Sequence, residues 1–229
     1  MADPLTLFGI VLSALGAGGA VNPTVQAVRR LRRERARRHL TRDTPQDLFY
    51  RSVCIGLRIV ETDREYIHRR EAEIVSRQNG LTRLPWGSRA FGDVQNIGEE
   101  LVSDDPAIGL SLVEADPHVE RLDGWNRRYI QLSKPLDRRG TLRFVHTERS
   151  IVTGQPLQHM LRWSPVTRCD RATLQVAFAS HPPSTVRYSV ISPTGEELEW
   201  EMLERDVVTA SFTRSIDCPI PGRYYKLSW

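Results

Sequence analysis

From Leu5 to Val21 the chain runs through seventeen residues, LTLFGIVLSALGAGGAV, without a charge, and beyond Val28 the pattern inverts into a dense basic stretch. An uninterrupted apolar run of this kind predicts a helix, and at about 1.5 Å per residue it spans roughly 25 Å, just short of a hydrocarbon core of about 30 Å. Continuation through Thr24 to Val28 would lengthen the span, with Pro23 tolerated as a kink. After Gln46 the pattern changes to period two. Val53, Ile55, Leu57 and Ile59 fall on one face of a strand within 51–60. Residues 64–78 fit both periods, and the alternation of Tyr66, His68, Arg70, Ala72 and Ile74 favours a long strand paired with the first, closed by the Asn79-Gly80 turn.

The segments GLSLVEA (109–115), RRYIQLS (127–133) and GTLRFVHTERSIV (140–152) predict further strands, so that 45–155 forms a β-rich unit of roughly seven. Between Pro85 and Pro106 the chain is rich in Gly, Asp and Glu and predicts a long loop, the place to look for a binding surface. ATLQVAFAS, STVRYSVIS, EELEWEML, VVTASFT and GRYYKLSW then follow at the spacing of a small antiparallel sandwich over 156–229. The expected fold is mainly β. An N-terminal hydrophobic helix (1–22) and a basic helix with linker (23–44) precede an antiparallel β-sandwich or barrel-like body, built as one core or two units.

Charge refines this picture. Eight arginines and one glutamate lie in 29–42, a local +7 in a chain of net +4, so the remainder carries about −3. A nucleic-acid-binding domain would spread its basic residues over a folded face, which disfavours that partner. Arg29, Arg30, Arg32, Arg33, Arg35, Arg37 and Arg38 instead suit an anionic lipid surface beside a membrane span. Basic flanks stay in the cytoplasm, predicting a single-pass protein of a bacterial inner membrane, N-terminus outward and body cytoplasmic. A cleaved signal peptide would need basic residues ahead of the run, where the only charge is Asp3. Gly9, Ser13 and Ala17 on one line, and Ala14 with Gly18 beside it, offer faces for close helix approach and predict a homo-oligomer.

Chemistry is sparse. No nucleophile elbow, phosphate-binding loop, dinucleotide fingerprint or metalloprotease motif occurs, the six histidines are dispersed, and neither an enzyme nor a cofactor is expected. Cys54, Cys169 and Cys218 have no paired spacing and suit reduced thiols. Asp116, His118 and Glu120 could face one way on a strand as metal ligands, but Pro117 favours a solvated turn. Glu99, Glu100, Asp104 and Asp105 lack the spacing of a calcium loop. Trp86, with Arg89 and Phe91, would stack on a planar ligand if exposed; core packing is the competing use of this tryptophan.

The order of apolar anchor, basic segment and β-rich body, with NGLTRL at 79–84 and PGRYYKLSW at 221–229, resembles uncharacterised β-rich domains of actinobacterial proteins that accompany signalling and defence modules. The abundance of Arg over Lys, which occurs only at Lys134 and Lys226, fits such a source. In outline the chain also resembles antiphage effectors that join transmembrane helices to a β-barrel, although those carry two such helices. The resemblance implies a membrane-anchored sensor or effector whose body binds a small ligand or a protein partner. A soluble scaffold module whose N-terminal helix packs on a partner, and a nucleic-acid binder acting through the Arg-rich helix, are the alternatives.

Overall fold

The computed structural model describes residues 47–61, 64–88, 94–114, 126–154, 159–165 and 167–229. The N-terminal helix and the basic segment therefore lie outside the described residues. Thirteen strands are described: β1 Leu48–Glu61, β2 Glu65–Ser76, β3 Leu81–Ser88, β4 Val94–Ser103, β5 Leu110–Glu114, β6 Asn126–Leu136, β7 Thr141–Val152, β8 Met160–Trp163, β9 Cys169–Phe178, β10 Thr185–Ile191, β11 Glu197–Glu204, β12 Ser211–Asp217 and β13 Tyr224–Ser228. The mainly β expectation holds.

The strands form three sheets, ordered β12-β9-β1-β2-β7-β4, β11-β10-β13-β8 and β3-β6-β5. On β1, Val53, Ile55, Leu57 and Ile59 are buried, as the alternation requires. The long hairpin of β1 with β2 puts Ala72, Arg70, His68 and Tyr66 opposite those residues, on the same face. Gly80, at φ 74°, supplies the left-handed backbone needed by the turn after β2.

Four features depart from the sequence expectation. The Pro85–Pro106 region holds half of β3 and all of β4 rather than a long loop. Both are edge strands, which is where a proline and a charged, exposed pattern are tolerated. Second, the sheets are not wholly antiparallel, because β1 pairs in parallel with β9 from Tyr50–Cys169 to Ile59–Phe178. Third, that pairing and the β9–β12 ladder carry strands of the 156–229 stretch into the large sheet, the arrangement of the one-core alternative. The boundary at 155/156 thus divides residues that share one hydrophobic cluster, in which Val176, Phe212 and Leu227 are each 0% exposed. Fourth, Val207 and Val208 form a turn rather than a strand, and β12 begins only at Ser211.

The two smaller sheets cover different halves of the large one. Trp86 of β3 packs against Phe144 and His146 of β7, whereas Tyr188 of β10 lies beneath Arg214 of β12 and Trp229 meets Phe178 of β9.

Candidate functional site

Register alone places an unusual set of side chains together. Across β2 and β7 the partners Ala72–Phe144, Arg70–His146, His68–Glu148 and Tyr66–Ser150 succeed one another, and β4 adds Leu101 beside His146 and Glu99 beside Glu148. The same rows continue onto β1 and β9 as Ile55–Leu174 and Leu57–Val176, all apolar. One sheet face is therefore a hydrophobic core on one half and a cluster of ionisable groups on the other. Such groups are costly in a protein interior unless each is partnered.

The partners are present. His146, with a side chain 2% exposed, meets Glu99 at 2.8 Å through Nε2. Arg128 of β6, 14% exposed, donates from Nη1 to both oxygens of Glu99, at 2.7 and 2.8 Å. Trp86 stands edge-on to His146, with centroids 5.3 Å apart, and the Arg70 guanidinium lies 4.2 Å from the indole centroid. Trp86 is 4% exposed and its buried Nε1 has no hydrogen-bond partner among the described residues. Glu148 accepts a 3.4 Å contact from the Ser150 hydroxyl.

These surroundings set the protonation states. Burial first, then the neighbouring Arg70 guanidinium and His146 ring, hold His68 down at about 3. Burial also lowers His146, against the opposing hydrogen bond to Glu99, so a neutral His146 donates its Nε2–H to the carboxylate. For Glu99, burial would raise the pKa, but the hydrogen bonds from His146 and Arg128 outweigh it and keep the carboxyl below its usual range. Arg70 is lowered from its usual value by burial, partly offset by Tyr50 and Glu148. The cluster thus sets Arg70 and Arg128 against Glu99 and Glu148 around the imidazoles of His68 and His146, both held below the usual histidine value. It is balanced, and any proton or charged ligand that enters must upset the balance.

Among the described residues no group of three or more His, Cys, Asp or Glu side chains is arranged to hold a metal. Burial raises the Cys54 thiol and pushes Cys169 up to about 12, so neither is an activated nucleophile, while Cys218 is exposed. The acidic group at 99–105 is divided in function. Glu99 turns to His146, whereas Asp104 and Asp105 accept backbone N–H groups from Arg143 and Ala107 in a turn.

Of the three residues singled out for ligand stacking, Trp86 is the one among the described residues. It lies in the core, at the centre of the polar cluster. Arg89 and Phe91 lie outside the described residues, as do Asp116, His118, Glu120, the helix faces Gly9, Ser13, Ala14, Ala17 and Gly18, and the arginines from Arg29 to Arg38. His68, Arg70, Arg128, His146 and Glu148 were not legible as site residues. The available signal was parity: His68 and Arg70 share the face of Ala72 and Ile74, and His146 that of Leu142 and Phe144.

The fold defines a mainly β, sandwich-like body. No protein-family model matches the chain, and no curated protein does. Among solved structures it is similar to an M1 zinc metallopeptidase from Deinococcus radiodurans, at 9% identity and a TM-score of 0.46, covering 81% of this chain and 43% of that one. It is also similar to a putative protease from Parabacteroides distasonis, at 8% identity and a TM-score of 0.45, over 80% of this chain and 40% of the other. The chain spans less than half the length of these neighbours, and likeness at this level assigns no activity.

Proposed function

We propose that this chain is a membrane-tethered sensing and interaction protein, not an enzyme, in which residues 5–21 hold the chain in the bilayer and the β-rich body recognises a ligand or partner. The observation that supports the sensing role is the half-buried cluster of Arg70, Glu99, Arg128 and Glu148 around the buried Trp86 and His146. It joins β2, β3, β4, β6 and β7, so a change of charge within it bears on two sheets at once. A hydrophobic cluster would have served stability at less cost, and retained polar networks of this sort mark functional sites.

Two experiments test the reading. Cell fractionation of the full chain, with and without residues 1–28, should move the protein from membrane to soluble fraction; full-length protein found wholly in the soluble fraction ends the tether. A thermal-shift panel of nucleotides, sugar phosphates and small carboxylates should contain a stabilising ligand whose effect is lost in Arg70→Gln and His68→Gln. A flat panel removes small-ligand sensing and leaves the interaction role. Should the helix act by oligomerising, Ser13→Leu with Ala17→Leu would disperse the oligomer while leaving the body folded.

A further inference from the structure

The cluster around Trp86 has two unlike halves. In one, Glu99 takes hydrogen bonds from both His146 and Arg128 and the set is closed. In the other, Arg70 and His68 of β2 share a face with Tyr50 of β1, where the small Ala72 separates Arg70 from Ile74, the register partner of Tyr50. Burial holds His68 down at about 3 and lowers Arg70, yet Tyr50, His68 and Arg70 all keep accessible surface. Side chains that are crowded by protein and still reached by water line a cleft and not a sealed core. Behind them Trp86 is sealed, its ring centroid 4.2 Å from the Arg70 guanidinium.

The polar groups of this second half are donors. Burial raises Tyr50, so its hydroxyl stays protonated, and the neutral His68 carries one ring N–H. Among the described residues neither side chain has a hydrogen-bond partner, and the buried Trp86 Nε1 has none either. What this half lacks is an acceptor. The carboxylate whose charge reaches Arg70 is Glu148 of β7, on the far side of β2 from Tyr50 and met by the Ser150 hydroxyl at 3.4 Å. We propose that Arg70, Tyr50 and His68 bind one small oxyanion, a carboxylate or phosphate group, which competes with Glu148 for Arg70. A guanidinium offers paired N–H groups to two oxygens of such a group, and Tyr50 and His68 supply donors for its remaining lone pairs. A cation would meet Arg70 head on, and an apolar ligand would leave the donors unpaired. An anion held over β1 and β2 draws Arg70 from Glu148 on β7, so occupancy redistributes charge across the cluster. The proposal rests on the sensing role given above and names its ligand class.

The test titrates the full chain in detergent, at neutral pH and constant ionic strength, with sodium acetate or inorganic phosphate, chloride serving as the reference anion. Tryptophan fluorescence is the readout, since the Arg70 guanidinium lies over the Trp86 ring. Saturable binding of acetate or phosphate that Arg70→Gln weakens by about tenfold or more, and Tyr50→Phe by about fivefold, supports the proposal. Glu148→Gln carries the decisive sign: with the competitor gone, binding should strengthen about tenfold, a gain that a misfolded variant does not give. Binding that is unchanged or weaker in Glu148→Gln overturns the proposal. Saturation that Arg70→Gln leaves intact overturns it too, because the anion then sits on another basic segment. If neither anion binds, the proposal falls; a stabilising ligand without an oxyanion group in the wider panel then spares the sensing role, and a flat panel does not.

Discussion

Replacing Glu99 by glutamine tests whether the cluster around His146 is a coupled network or a chance meeting of side chains. The amide has the same shape but no charge. Its carbonyl at the Oε1 position can still accept from His146 and Arg128, but its NH2 at the Oε2 position meets the Arg128 guanidinium donor to donor, so the second Arg128 bond and the charge that strengthens all three are lost. Because the Arg128 side chain is 14% and that of His146 2% exposed, water makes up little of the loss. A cost of about 2–3 kcal/mol follows. For a body of this size that corresponds to a fall in Tm of about 4–12 °C. Urea titration followed by tryptophan fluorescence measures it, since Trp86 touches His146. In a double-mutant cycle with Arg128→Gln the coupling should be about 1–3 kcal/mol. The pH dependence adds a signature. Glu99 has a folded pKa below its unfolded value, so its stabilisation is present above about pH 4.3 and disappears as the pH falls through the folded value. A loss below about 0.5 kcal/mol, or one unchanged from neutral into the acid range, would refute the network.

Two further outcomes follow from the same structure. His68 is held at about 3 when folded, so between its unfolded value near 6.5 and that point the unfolded chain binds a proton the folded one refuses. Stability should drop with falling pH across that window by up to about 1.4 kcal/mol per pH unit from this residue, and His68→Gln should remove up to one proton of uptake on unfolding, measured by calorimetry in buffers of different ionisation enthalpy. Phe212, fully buried on β12 and edge-on to Phe178, should cost about 3–5 kcal/mol as Phe212→Ala. If β12 belongs to the same core as β1, circular dichroism and fluorescence will shift together in one transition; a separate early transition would restore an independent unit at 156–229.

Much of the candidate site was hidden for a specific reason. Trp86 drew attention as an aromatic residue beside basic ones, but its partners, His146 and Arg70, stand 60 and 16 residues away in a sequence where histidines look scattered. Alternation reports which side chains share a face of one strand. It does not report which strand lies alongside, so the pairs Arg70–His146 and His68–Glu148 exist only once β2 and β7 are in register.

The sequence by itself determined the strand content of the body, the Asn79-Gly80 turn and the confinement of excess positive charge to residues 29–42, because period, turn chemistry and charge are local properties. Tertiary structure decided the parallel pairing of β1 with β9, the merging of the later strands into the large sheet and the exposure of Trp200 on an edge. It also brought six ionisable side chains, of which His146 is buried, into one cluster across β2, β4, β6 and β7. Those outcomes depend on contacts between residues far apart in the chain, where the free energy of burying a face, and not the pattern along any one strand, selects the partner.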